Sequence, residues 1–165
     1  MLFQEAKRFL QVSVMLASEL NYLKCKWAIT GSYSLLLNGV DVIPRDIDVF
    51  INQESCKLLE EELAHSFELR PFTYTENPGI RSYFTTLNIL DIKVELVAGM
   101  ESYISGKWFY HLDWDNNLVC HTIQEEKIFT TSLDYELEIY NLLDKRQKVK
   151  SIHEYLNTSK NKVNL

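Results

Sequence analysis

The sequence predicts an α/β (α+β) architecture, a mixed β-sheet flanked by helices, and three observations carry that prediction. A short apolar run, Trp27 to Thr30, passes through Gly31-Ser32 into a short apolar helix. A second β-branched and aromatic run, Ile47 to Ile51, follows a loop containing Gly39 and Pro44. Amphipathic helical patterns stand at both ends of the chain.

The 165 residues, 46% hydrophobic and 24% charged, supply enough apolar material to close one core. One domain over 1–165 is expected, with a core of about 24–130 and a helical segment of about 131–160. No Gly/Ser linker, low-complexity stretch or internal repeat divides it.

In chain order, Leu2 to Leu23 places Leu2, Phe3, Ala6, Phe9, Leu10, Val14, Leu16, Leu20 and Leu23 at a mostly helical period. Glu5, Lys7, Arg8 and Gln11 fill the other face, so this helix packs on the core. Ser32 to Asn38 reads as a helix that Gly39 and Pro44 stop. Asn52 or Glu54 opens another, with Leu58, Leu59, Leu63 and Phe67 inward and Glu60, Glu61 and Glu62 toward solvent. Beyond the turn Asn77-Pro78-Gly79, two strands are expected, Arg81 to Ile89 and Leu90 to Val97. The second alternates Asp91, Lys93 and Glu95 with Leu90, Ile92, Val94 and Leu96, giving it one polar and one apolar face. Trp108 to Phe129 suggests short strands around a turn at Asp113 to Asn117. Thr131 with Asp134 forms a capping-box pattern, and Leu133 to about Leu156 is helical with a break near Asp144.

The net charge of −6 and pI of about 5.2 lack the positive field that draws in a long nucleic acid, so no such partner is expected. Cys25, Cys56 and Cys120 are odd in number and outside any C-x-x-C pair, which suits buried thiols in a reducing compartment. The longest uncharged N-terminal run, Phe9 to Ser18, is about half of a membrane span. A cytoplasmic protein without a membrane partner is the expectation.

The order strand, Gly31-Ser32, helix, Asp46-Ile47-Asp48 has a chemical logic. Glycine lets the backbone approach a phosphate closely, and the serine hydroxyl can bind phosphate oxygens. Asp46 and Asp48, two positions apart on a strand, point to one face about 7 Å apart and repel unless a cation lies between them. Mg²⁺ takes such a pair together with phosphate oxygens and water. A third acid would come from a neighbouring strand, where the polar face offers Glu95 or Asp91; the apolar neighbours Val94 and Leu96 favour Glu95.

These residues resemble the nucleotidyltransferase superfamily with the polymerase-β-like fold. The matching segments are Ile29-Thr30-Gly31-Ser32, a 13-residue spacer, Asp46-Ile47-Asp48-Val49 and Val94-Glu95-Leu96. Pro44-Arg45-Asp46-Ile47-Asp48 is similar to small bacterial members related to aminoglycoside and lincosamide nucleotidyltransferases and to antitoxin-type nucleotidyltransferases. The resemblance implies that Gly31 and Ser32 bind the nucleotide phosphates and that Asp46 and Asp48 hold Mg²⁺. Glu95 would complete the metal and catalytic set and activate an acceptor hydroxyl. Arg45, beside the aspartates, is the first cation to watch for the triphosphate, among Arg70, Arg81, Lys93, Lys145 and Arg146. The reaction implied moves a nucleoside monophosphate from a nucleoside triphosphate, ATP foremost, to a hydroxyl of a small molecule or a protein. The alternative is a non-catalytic binding or regulatory module, antitoxin-like or a nucleotide sensor.

Other features are structural on this reading. Asp113-Trp114-Asp115 repeats the Asp-x-Asp pattern, but Asn116-Asn117 beside it makes a solvated turn. His65, His111, His121 and His153 show no zinc spacing, and Ser32 and Ser34 lie in no nucleophile motif. The tryptophans are expected to fill core.

Overall fold

The computed structural model describes residues 3–111 and 113–163. The helix α1 (Phe3–Tyr22) is followed by β1 (Trp27–Thr30), α2 (Gly31–Leu37), β2 (Ile47–Ile51) and α3 (Cys56–Ser66). Then come β3 (Thr73–Asn77), β4 (Ile80–Ile89), β5 (Ile92–Ile104), β6 (Lys107–Tyr110), β7 (Leu118–Ile123) and β8 (Glu126–Thr131). Two helices, α4 (Leu133–Leu142) and α5 (Arg146–Val163), complete the described chain. Leu2, expected on the apolar side of the first helix, lies outside the described residues.

The strands form one mixed sheet in the order β3-β4-β5-β2-β1-β8-β7, with β6 paired to β5. β2 runs parallel to β5 and antiparallel to β1, while β1 is parallel to β8. Side chains of successive residues alternate between sheet faces, so the register assigns each to a layer. Ile29, Val49 and Leu96 share one row and are fully buried. Against that face pack Phe9, Val12, Leu16, Ala17 and Leu20 of α1 and Leu59 and Leu63 of α3. Each such buried aliphatic side chain stabilises the fold by about 2 kcal/mol. Leu35, Val40 and Ile152 form a second cluster with Leu133 and Leu137, joining α2 to α4 and α5 on the other side.

Several expectations shift in detail. The two strands read from Arg81 to Val97 form a hairpin whose turn takes Leu90 and Asp91 out of the sheet, both with positive φ (50° and 64°). β5 then continues past Val97 to Ile104, and the exposed β3 adds an edge strand that its polar composition concealed. Gln53–Ser55 is a 3-10 turn, so α3 starts at Cys56; Leu58, expected inward, is exposed, and Phe67 follows the helix in extended backbone. Ser132, rather than Thr131, caps α4 by accepting from the Tyr135 N–H at 3.2 Å. Thr131 is the last residue of β8 and turns inward. The break near Asp144 is real: Asp144 has φ of 51° between α4 and α5. The thiols are free but not deeply buried, since Cys120 is exposed on the edge strand β7 and Cys25 and Cys56 are only half-buried. Trp108 does not fill core either; it is half-buried under the Arg81 guanidinium, 4.3 Å from its ring centre. Among the described residues no helix is long and apolar enough to cross a membrane.

Candidate active site

The face of the sheet turned away from α1 carries two adjacent rows of side chains. In the first, Thr30 of β1, Asp48 of β2, Glu95 of β5 and Thr86 of β4 are direct cross-strand partners. In the second, Ala28, Phe50, Val97 and Phe84 stand in the same relation. The first row is polar and the second apolar, and both belong to the face that α4 only partly covers. A cleft of about 610 Å³ opens there, reached by Gly31, Ser32, Asp48, Phe50, Glu95 and Lys148 among others.

Gly31 makes the turn from β1 into α2 with φ of +71°, a left-handed conformation that costs an L side chain about 1–2 kcal/mol. A Cβ at this position would lie 2.5 Å from Asp48 Oδ2. Two constraints, the turn and the close approach to a carboxylate, therefore require glycine. Gly31→Ala should weaken nucleotide binding about tenfold to a hundredfold while the protein still folds, measurable by calorimetric titration and thermal melting. Unchanged affinity would show that the close contact with Asp48 is unimportant.

Asp48 is surrounded by like charge. Burial, followed by the charges of Asp46, Glu95 and Glu136, pushes its carboxyl up from 3.8 to about 7, and Glu95 stands within hydrogen-bond reach. Asp46 precedes β2 and is half-buried. Asp91, the rival for the third acid, sits in the exposed hairpin turn, whereas Glu95 is the in-register partner of Asp48. Lys93, two residues earlier on the same face, places its ammonium on Glu95. Among the described residues no three acidic, histidine or cysteine side chains are gathered at metal-ligand spacing. The donor chemistry nevertheless suits a hard divalent cation: several carboxylates repel one another here, and a cation that displaced Lys93 from Glu95 would relieve that repulsion.

Two important residues were missed by sequence reasoning. Glu136 of α4 is 2% exposed. Its Oε1 accepts from Thr30 Oγ1 at 2.6 Å, the Gly31 N–H at 3.0 Å and Thr131 Oγ1 at 2.5 Å. Burial pushes its carboxyl up and these hydrogen bonds pull it down. Glu136 thus clamps the glycine turn from behind, so the Gly31 N–H is engaged and what Gly31 offers the cleft is shape. Lys148 of α5 is the second: it donates to Ser32 Oγ, and burial lowers its pKa against the opposing pull of Glu136, Asp48 and Asp46. Only its place in the basic run Lys145-Arg146-Gln147-Lys148 hinted at it.

Of the other cations, Lys145 lines the cleft, whereas Arg45 is exposed and outside its lining. Arg146 pairs with Asp144 at 2.9 Å, and Arg81 pairs with Glu101. Asp115 of the second Asp-x-Asp pairs with Lys26 at 2.9 Å, and Asp113 has φ of 68°, as a turn requires. His65 and His153 are exposed, His121 bonds Thr130 Oγ1 at 3.0 Å, and His111 is buried against Ser102 Oγ at 2.7 Å.

The family model for aminoglycoside-2''-adenylyltransferase matches residues 13–154. Among solved structures, a candidate nucleotidyltransferase from Thermotoga maritima aligns over 96% of each chain, with 27% identity and a TM-score of 0.73. ANT(2'')-Ia in complex with adenylyl-2''-tobramycin aligns over 96% of this chain and 94% of its own, at 13% identity and a TM-score of 0.56. The lincosamide antibiotic adenylyltransferase LnuA, lincomycin-bound, aligns over 84% of this chain and 92% of its own, at 11% identity and a TM-score of 0.52. The last two establish a shared fold. Comparison with curated proteins finds no match.

Proposed function

The chain belongs to the aminoglycoside-2''-adenylyltransferase family and is a nucleotidyltransferase, and from that premise we propose that it moves a nucleoside monophosphate from Mg²⁺-bound ATP to a hydroxyl of a small-molecule acceptor. The observation that carries this reading is the in-register pair Asp48 and Glu95 beside a glycine backbone that packs directly on Asp48.

Asp46, Asp48 and Glu95 would hold the metal. Bound there, Mg²⁺ supplies neutralisation of charge on the phosphates. Ser32 and Lys148 bind phosphate oxygens, the lysine as a point charge next to the serine hydroxyl. Gly31 keeps the wall low enough for the phosphates to approach Asp48, and Glu136 fixes Gly31. The acceptor oxygen attacks the α-phosphorus while the bond to the bridging oxygen of the β-phosphate breaks and pyrophosphate leaves. Glu95 takes the hydroxyl proton. Arg45 is given no role in this reading, because its side chain is exposed.

The test is a titration of ATP with Mg²⁺ into the protein, repeated with excess EDTA, with pyrophosphate followed on the same samples. Saturable binding abolished by EDTA is expected, with pyrophosphate released slowly to water and faster with acceptor. Binding of equal strength without metal, or none at all, would overturn the proposal.

A further inference from the structure

Resting on that reading, we propose that Lys93 is a displaceable counter-charge for Glu95, which disfavours free divalent cation in the acid set and couples its entry to binding of the triphosphate. Lys93 and Glu95 lie two positions apart on β5, so both side chains leave the same face of the sheet. Their cross-strand partners on β4, Asn88 and Thr86, are uncharged. The Lys93 ammonium donates to Glu95 Oε1, and the charges of Asp46 and Asp48 attract it as well. Glu95 is in register with Asp48 on β2, so the ammonium stands beside the whole proposed metal set. Lys148, also within the field of Asp46 and Asp48, is engaged with Ser32 Oγ instead.

The signs of the charges decide what this placement does. A divalent cation arriving alone would share Glu95 with an ammonium of like sign or expel that ammonium into water, and either outcome weakens its binding. A triphosphate reverses the balance, because its oxygens can receive the ammonium that leaves Glu95. The Lys93 side chain is 50% exposed and that of Glu95 21%, so the lysine, on its flexible four-carbon stem, is the member of the pair free to move. Ion pairs exposed to this degree hold weakly enough to be exchanged. A nucleotide arriving without metal gains little, since the ammonium then stays on Glu95 and the acids repel the phosphates. Lys93 thereby makes each ligand favour the other, and such coupling is reciprocal.

The experiment is calorimetric titration of the whole chain, first with Mn²⁺ alone and then with α,β-methylene-ATP in the presence of Mn²⁺ or of EDTA. It compares the wild type with Lys93→Met, Lys93→Arg and Lys127→Met, the last an equal charge change on β8. Unchanged melting temperatures would show that the variants are folded, as expected for half-exposed and exposed side chains. Lys93→Met should bind Mn²⁺ alone about tenfold more tightly than the wild type, and the gain in nucleotide affinity that Mn²⁺ confers should be about tenfold smaller in it. Lys93→Arg, which keeps the charge, should follow the wild type, and Lys127→Met should stay within about twofold of it. The inference is overturned if Lys93→Met binds Mn²⁺ no more tightly than the wild type, if its metal-dependent gain is undiminished, or if Lys127→Met reproduces both effects. A wild type whose nucleotide affinity Mn²⁺ does not raise would instead sink the nucleotide reading, and the coupling assigned to Lys93 with it.

Discussion

Asp48→Asn should lower turnover by about a thousandfold and, in the absence of divalent cation, make the protein more stable. The first effect follows from removing one full negative charge from the centre of the proposed metal set, a loss of about 4 kcal/mol of transition-state stabilisation. The second follows from the crowding around that carboxyl, whose pKa is raised from 3.8 to about 7 chiefly by burial and then by Asp46, Glu95 and Glu136. A raised carboxyl binds its proton more tightly in the folded chain, so the stability linked to it is complete below about pH 4 and is lost as pH rises through about 7. The full linkage is at most about 4 kcal/mol, and relaxation of neighbouring groups leaves an expected gain near 1–2 kcal/mol for the asparagine variant at neutral pH. Melting curves from pH 4 to 8 in EDTA would show the wild type falling more steeply than the variant. Parallel curves would mean that Asp48 carries no buried charge worth relieving.

Glu136→Ala should destabilise the fold by about 3–5 kcal/mol, the largest stability loss expected of any polar side chain here. The substitution leaves Thr30 Oγ1 and the Gly31 N–H without their acceptor, while Thr131 Oγ1 keeps only its longer bond to the Ile29 carbonyl at 3.3 Å. It also opens a void beside them. Each unpaired donor costs about 1–3 kcal/mol, and collapse of the void recovers part. Denaturant unfolding measures the change; Glu136→Gln, which keeps volume and one acceptor oxygen, should lose less. If the alanine variant unfolds at wild-type denaturant concentration, the clamp is not what holds the glycine turn.

The contrast between these two acids explains what could be read from the chain beforehand. That Asp48 and Glu95 share one sheet face was legible because strand periodicity puts alternate residues on one face and apolar neighbours mark inward-lying strands, whereas Asp46 falls just before β2. Gly31-Ser32 was legible because a turn chemistry and a strand met there. Glu136 sits in Tyr135-Glu136-Leu137-Glu138, where it looks like one more acid on an amphipathic helix; only the packing of α4 on the turn gives it three donors. Lys148 has the same history, hidden in a basic run until α5 laid it on Ser32. Arg45 is exposed, and proximity in sequence to Asp46 does not by itself fix where its side chain goes. The β3 edge, Thr73–Asn77, escaped because an exposed strand lacks the apolar alternation that announces a half-buried one.

The clamp also sets a schedule for biosynthesis. Gly31 leaves the ribosome 105 residues before Glu136, so the turn is made long before the side chain that holds it exists. Until then the strand pair β1 and β2 must keep Thr30 and Asp48 together, while β8, parallel to β1, has yet to arrive. Contacts this distant in sequence close slowly. A nascent chain therefore carries its acidic pair early but has its glycine turn clamped only after α4 docks.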